Sequence, residues 1–86
     1  MQLSDTQKLM NDLYGDVDRE RGITATVAWL CEEVGELAQA VRKGTREQQL
    51  HEIGDVMAWL ASLANQLGLS LDEAMERYEA KHEQRS

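Results

Sequence analysis

Residues 29–59 read WLCEEVGELAQAVRKGTREQQLHEIGDVMAW, and this stretch decides the fold. Apolar residues recur at helical spacing on both sides of Gly44. Arg42 and Lys43 before the glycine favour the end of one helix, and Thr45 after it favours the start of another. Because the break between them is so short, the two helices are predicted to pack antiparallel as a helical hairpin.

Two further helices are predicted outside this hairpin. Ser4 with Gln7 forms a capping-box pattern for a helix that runs to about Glu20, and Ser70 begins another that runs to about Gln84. The 86-residue chain contains no Pro and shows no strand signal, so we predict a single all-α domain. Since a chain this short buries a limited core, the four-helix protomer is expected to complete its bundle by association with further copies.

Composition excludes several classes of partner. The formal net charge of −7 disfavours binding to nucleic-acid polymers or anionic lipid, which need a basic face. No stretch approaches the roughly 18 apolar residues of a membrane span, and no basic segment followed by an apolar one opens the chain. We therefore expect a cytoplasmic protein. The single cysteine, Cys31, cannot form an intramolecular disulfide and is expected to be a small buried hydrophobic residue.

The two helices of the hairpin carry the same residue types at equal separations from Gly44. An antiparallel hairpin brings residues equally far from the turn to the same level, so four carboxylates and two indoles are predicted to converge. At separations of 8, 11 and 15 residues the matched pairs are Glu36 with Glu52, Glu33 with Asp55, and Trp29 with Trp59.

Each of these helices also has two stripes along its length. One stripe is apolar, centred on Val34 in the first helix and on Leu60 in the second, and is predicted to face the core. The acids and the tryptophans form the other stripe. Gly35 and Gly54 lie among the acids, where each weakens the helix by about 1 kcal/mol relative to Ala. Close approach of backbones and clearance for a ligand both explain them.

Four adjacent carboxylates repel one another unless a cation neutralises them, which favours a divalent metal site. An all-oxygen ligand set selects Mg²⁺ or Mn²⁺ over zinc. His51 is disfavoured as a ligand, because a zinc-protease helix would carry a second histidine where Asp55 stands. For the tryptophans two interpretations stay open, stacking of one of them on a nucleobase and contact with another helix or subunit.

The pattern Glu33-x-x-Glu36 and Glu52-x-x-Asp55, with the flanking sequences WLCEEVGELAQAVRKG and HEIGDVMAWLASLANQLGLSLDEAMERYEAK, resembles the MazG-like all-α nucleoside triphosphate pyrophosphohydrolases over about residues 25–82. The resemblance implies Mg²⁺-dependent hydrolysis of a nucleoside triphosphate between its α and β phosphates, and it makes these four acids the metal ligands. It also implies assembly as a homodimer or homotetramer.

The same resemblance implies roles for further residues. Glu32 is a candidate for holding an additional ion or orienting the attacking water. Trp59 and Asn65 match positions at which relatives contact the nucleoside, and Lys81 and Arg85 resemble basic residues that reach phosphate. Two alternatives are an enzyme similar to the phosphoribosyl-ATP pyrophosphatases and a non-catalytic helical module that binds metal or nucleotide and assembles into oligomers.

Overall fold

The computed structural model describes residues 2–85, and the side chains of residues 2–83. Four α-helices are joined by short turns, and this part of the chain contains no strand, which confirms the predicted all-α fold. None of its helices has both the length and the hydrophobicity that crossing a membrane requires. The helices are α1 at Leu3–Arg21, α2 at Ile23–Lys43, α3 at Arg46–Leu67 and α4 at Leu71–Arg85.

The start of α1 differs from the predicted capping box. The helix begins at Leu3, and the backbone N–H of Gln2 donates to the carboxylate of Asp5 at 3.0 Å. Ser4 instead donates its N–H to Asp72 at 3.1 Å, and Gln7 accepts from the N–H of Leu71 at 2.9 Å. Ser4 and Gln7 therefore link α1 to α4, because residues of α4 form hydrogen bonds with the Ser4 backbone and the Gln7 side chain.

Both ends of α3 follow the sequence signals. Thr45 caps α3, since its hydroxyl accepts from the N–H of Gln48 at 3.1 Å and its own N–H donates to the Gln48 side chain at 2.8 Å. A side chain at Gly44 would place its Cβ 2.8 Å from the Ala40 carbonyl oxygen, so the turn accepts only glycine. Gly68 ends α3 with φ +69, a left-handed conformation that glycine adopts without strain.

Helices α2 and α3 pack antiparallel, as predicted from the short turn. Near the turn, the Gln49 side chain donates to the Ala40 carbonyl at 3.1 Å, and at the far end the Gln66 side chain donates to the Thr26 hydroxyl at 2.8 Å. Helix α1 packs mainly against α3 and also contacts α2, and Ala61 of α3 is fully buried. The hairpin is therefore held at both ends, and the acids lie between these two ties.

The rotation of α2 differs from the prediction. Thr26 and Ala40 are buried against α3, whereas Val34 is 49% exposed and Val41 is 64% exposed. The face towards α3 thus combines Glu33 and small residues with the half-buried Leu30 and Leu37, and the valines of the apolar stripe lie outward. Cys31, predicted to be buried, is exposed for the same reason. In α3 the centre of the predicted core stripe, Leu60, is also 37% exposed.

The protomer has a large accessible surface for its size. The 9.7 kDa chain exposes 6584 Å², whereas a compact monomer of that mass exposes about 5,100 Å². The excess is roughly 1,500 Å², about twice what one partner buries in a standard protein interface. Exposed apolar side chains on α2 and α3 make up part of this surface, among them Val27, Val34, Val41, Ile53 and Met57.

Candidate metal centre

The structure brings the mirrored acids together between α2 and α3. Glu33 and Glu36 lie one turn apart on α2, and Glu52 projects from the matching level of α3. Each of these three residues offers a carboxylate oxygen, and the three oxygens lie within 4.8 Å of one another. Asp55 belongs to a second group of potential ligand atoms, with Glu52 and His51, that meets the same limit. Glu52 is therefore common to two adjoining groups.

Two oxygens of this cluster lack a protein partner. Glu33 Oε2 and Glu52 Oε2 are buried, and neither has a hydrogen-bond partner among the described side chains and backbone. A buried polar atom left unpaired costs about 1–3 kcal/mol, and more when it is charged. The protomer therefore holds acceptor atoms whose charge a bound cation or a proton would compensate.

The protonation of Glu33 reflects the same crowding. Burial, together with the hydrogen bond and charge of Glu36, raises the pKa of Glu33 from its ordinary 4.5 to about 7. The charges of Asp55 and Glu52 add to this shift. Repulsion from the neighbouring carboxylates disfavours the ionised form of Glu33, and a divalent cation would reverse that preference.

The donor set fits the hard cations expected from the sequence. Carboxylate oxygens from two helices converge at a seam that is open to solvent on one side, and Mg²⁺ characteristically combines a few carboxylates with water and phosphate oxygens. A groove of about 390 Å³ runs from Glu36 and Glu52 towards the hairpin turn, where Lys43 and Gln48 also line it. This groove leaves Glu36 and Glu52 open to solvent.

His51, which was disfavoured as a metal ligand from the sequence, contacts one of the acids. Its Nε2 lies 3.2 Å from Asp55 Oδ2, one helical turn away, and its side chain is 70% exposed. A ligand role for His51 was disfavoured because a zinc-protease helix carries a second histidine four residues on. The four-residue spacing from His51 to Asp55 is the signal that could have found this contact.

Glu32 has a different environment from the neighbouring acids. Its side chain is exposed, and it belongs to neither group of clustered ligand atoms in the described part of the chain. Its role as a further ligand or as an orienting group for water therefore stays a prediction.

The two tryptophans lie face to face, as their equal separation from the turn suggested. The ring centroids of Trp29 and Trp59 are 6.0 Å apart with an interplanar angle of 12°. The Arg21 guanidinium of α1 lies 4.7 Å from the centroid of the Trp59 ring, a contact that was not predicted from the sequence. Contact with another helix is thus part of the tryptophans' role, and base stacking stays a prediction.

The other residues predicted to bind substrate do not contact the acidic cluster in the described part of the chain. Asn65 donates to the Gln7 carbonyl at 2.8 Å and accepts from the Gln7 side chain at 3.0 Å, so it ties α3 to α1. Lys81 lies over the Tyr78 ring of its own helix, 5.4 Å from the centroid. The side chain of Arg85 lies outside the described residues. The roles of all three in substrate binding stay predictions.

The glycines between the acids do not mark a close approach within the protomer. A Cβ built at Gly35 or Gly54 meets no atom within 4 Å. Contact between the backbones of α2 and α3 therefore does not explain them, which leaves clearance for a ligand or for another copy of the chain.

Without metal, the protein is expected to lose stability as the pH rises. Between pH 4.5 and about 7, folded Glu33 retains a proton that the unfolded chain has released. Because the folded state binds more protons over this range, raising the pH lowers the free energy of unfolding. We expect the melting temperature in EDTA to fall by several degrees between pH 5 and pH 8.

Differential scanning calorimetry with and without millimolar Mg²⁺ tests this expectation. Added Mg²⁺ should flatten the pH dependence, and so should the double substitution Glu36→Gln and Glu52→Gln, because both remove repulsion around Glu33. In metal-free buffer at pH 8 the double variant should melt above the unaltered protein. A melting temperature that rises with pH in EDTA would contradict clustering of these acids.

Comparison with known proteins gives concordant results. A family model described as the MazG nucleotide pyrophosphohydrolase domain matches residues 21–86. The uncharacterized protein YvdC of Bacillus subtilis (strain 168) is 35% identical over 98 aligned positions, which cover 94% of this chain and 92% of that protein. The uncharacterized protein YpjD of the same organism is 38% identical over 90 positions, covering 84% of this chain and 81% of that protein.

Proposed function

Because the chain belongs to the MazG nucleotide pyrophosphohydrolase family, we propose that it hydrolyses nucleoside triphosphates to the monophosphate and pyrophosphate with Mg²⁺ as cofactor. Mn²⁺ is a substitute of the same chemistry. One observation carries the proposal: Glu33, Glu36 and Glu52 offer oxygens within 4.8 Å of one another, and two of these side chains hold a buried, unpaired oxygen.

Four side chains would hold the metal, namely Glu33, Glu36, Glu52 and Asp55. Bound Mg²⁺ supplies charge neutralisation to the phosphates and lowers the pKa of water in its coordination shell. The exposed carboxylate of Glu32, next to Glu33 in the chain, is a candidate for holding an additional ion or orienting the attacking water. The helices α2 and α3 fix the spacing of the acids before substrate arrives, so little reorganisation is needed during the reaction.

The groove beside the acids suits the phosphate chain. Lys43 lines it together with Glu36 and Glu52, and its ammonium group would attract the β and γ phosphates. In the opposite direction along α3, Trp59 lies one turn beyond Asp55 and offers an aromatic surface for the nucleoside. The substrate would therefore lie along the seam between α2 and α3.

We also propose that the functional form is a homodimer or homotetramer acting on the cytoplasmic nucleotide pool. The support is the excess accessible surface of roughly 1,500 Å², estimated from the chain mass, and the exposed apolar stripe centred on Val34. A dimer in which each copy buries this excess would have an interface of about 3,000 Å² in total, within the range of obligate homodimers. Removal of non-standard or excess nucleotides is the role that we propose for the activity.

A product assay tests the reaction directly. The full-length protein is incubated with a panel of nucleoside and deoxynucleoside triphosphates and Mg²⁺, and pyrophosphate is measured separately from orthophosphate. We expect release of pyrophosphate from at least one triphosphate and loss of the activity in EDTA. Release of orthophosphate alone, or no turnover of any triphosphate, would refute the proposed reaction.

A further inference from the structure

A second group of potential metal ligands lies on α3 beside the group of three glutamates. His51, Glu52 and Asp55 each offer one ligand atom, and these three atoms lie within 4.8 Å of one another. Two ligands on opposite sides of an ion are about 4.2 Å apart when each is about 2.1 Å from it. Small side-chain rotations would therefore bring all three residues onto one ion.

His51 and Asp55 already have the separation of two adjacent ligands. His51 Nε2 lies 3.2 Å from Asp55 Oδ2, and adjacent ligands about 2.1 Å from an ion are roughly 3.0–3.4 Å apart. Their four-residue spacing is also the one at which two side chains of a zinc-protease helix bind a common ion. Both side chains reach solvent, so an ion has a path of entry.

Glu52 distinguishes this group from an ordinary surface pair. A histidine and an aspartate four residues apart also contact each other on helices that bind no metal. Glu52, however, contributes to this group and to the group of Glu33 and Glu36, and its Oε2 is buried without a hydrogen-bond partner within residues 2–83. Because a carboxylate carries two acceptor oxygens, Glu52 can serve an ion in each group.

The two groups differ in their donor atoms. Glu33 and Glu36 belong to a group that offers only carboxylate oxygens, whereas the group of His51 and Asp55 also offers an imidazole nitrogen. Carboxylate oxygens suit Mg²⁺, and imidazole suits transition metal ions such as Ni²⁺ and Zn²⁺. The arrangement thus fits two adjoining ions of different chemistry.

We propose that His51, Glu52 and Asp55 bind a divalent transition metal ion next to the Mg²⁺ position, and that His51 is the ligand that selects this ion over Mg²⁺. The inference rests on the proposed function for the neighbouring Mg²⁺ position and deepens it by naming the class of a second ion. When bound, such an ion supplies further positive charge and acidifies the water that it holds.

Metal binding to the full-length protein without a histidine tag tests the inference and requires no turnover. Affinities for Ni²⁺ and for Mg²⁺ are measured by titration calorimetry. His51→Ala should weaken Ni²⁺ binding by about tenfold or more and leave Mg²⁺ binding within about twofold, because the imidazole is a ligand for the transition metal ion alone. His82→Ala is the matched control, since His82 is exposed on α4 and belongs to neither group. It should retain both affinities.

Proton NMR of the Co²⁺-loaded protein gives a readout that a merely structural role of His51 would not change. Unpaired electrons of Co²⁺ shift the ring protons of a bound imidazole far outside the ordinary spectral range. We expect such signals in the unaltered protein and in His82→Ala, and their loss in His51→Ala. Because the chain contains two histidines, signals that persist in His82→Ala come from His51 even if His51→Ala does not fold.

Three results would overturn the inference: Ni²⁺ affinity that His51→Ala leaves unchanged, equal weakening of Ni²⁺ and Mg²⁺ binding by this substitution, or shifted imidazole signals that are absent from His82→Ala. Pyrophosphate release in Mg²⁺ together with any of these would leave the proposed function standing. Ni²⁺ binding that depends on His51, in a protein that turns over no triphosphate, would uphold this inference and refute the proposed function.

Discussion

Replacing both Glu36 and Glu52 by Gln should lower the rate of pyrophosphate release by about two orders of magnitude or more. The glutamines keep the size of the side chains and remove two negative charges from the oxygen cluster in which Glu33, Glu36 and Glu52 lie within 4.8 Å. A divalent cation would bind such a site weakly, and the reaction would lose charge stabilisation worth several kcal/mol. The measurement is the initial rate of pyrophosphate release at saturating Mg²⁺.

The control for this double variant should make the same change of charge elsewhere. Glu20 on α1 and Glu76 on α4 are both exposed and lie outside the clustered groups. Replacing both by Gln should leave the rate within a factor of about two. Circular dichroism and light scattering should show that both double variants remain helical and assembled. Undiminished turnover by the Glu36 and Glu52 variant would show that these acids do not hold the catalytic metal.

Replacing Val34 by Glu should convert the assembled protein to monomers at micromolar concentration. Val34 is at the centre of the apolar stripe of α2 and is 49% exposed in the protomer. If a second copy covers this stripe, the substitution buries an unpaired carboxylate in an apolar contact, which costs several kcal/mol. Sedimentation equilibrium or light scattering measures the molecular mass. We also expect a lower melting temperature, since association stabilises the fold.

Ala28→Glu adds the same charge to the same helix and serves as the matched control. Ala28 is exposed and lies about 120° around α2 from Val34, away from the apolar stripe. This variant should keep the mass of the unaltered protein. A monomeric unaltered protein, or an unchanged mass for Val34→Glu, would show that the exposed stripe is not the interface.

Much of the local structure could be read from the sequence because its signals act over three or four residues. The capping interaction of Thr45 with Gln48 and the left-handed end of α3 at Gly68 depend on nearby backbone groups. The capping prediction at Ser4 and Gln7 was wrong because partners more than 50 residues away took their hydrogen bonds. A local pattern cannot report such competition.

The candidate metal site was also predictable from the sequence only in part. Equal separation from Gly44 was enough to bring Glu33, Glu36 and Glu52 together and to place Trp29 against Trp59. The sequence did not predict that Arg21 approaches Trp59 or that Asp18 is buried. They depend on how α1 lies across α3, and no periodicity in the chain encodes that crossing.

The sequence by itself determined the helices, the hairpin and the levels at which the acids meet, because helix rise and a short turn fix distances along the axis. Only the tertiary structure decided which face of each helix turns inward. Helical periodicity specifies two stripes on α2 but not the rotation with which the helix packs against α3. The helix is turned so that Glu33 lies inward beside the half-buried Leu30 and Leu37, while Val34 lies outward. We propose a cation as the partner of the acids and a second copy as the partner of Val34, because unpaired charge and exposed apolar surface are both costly.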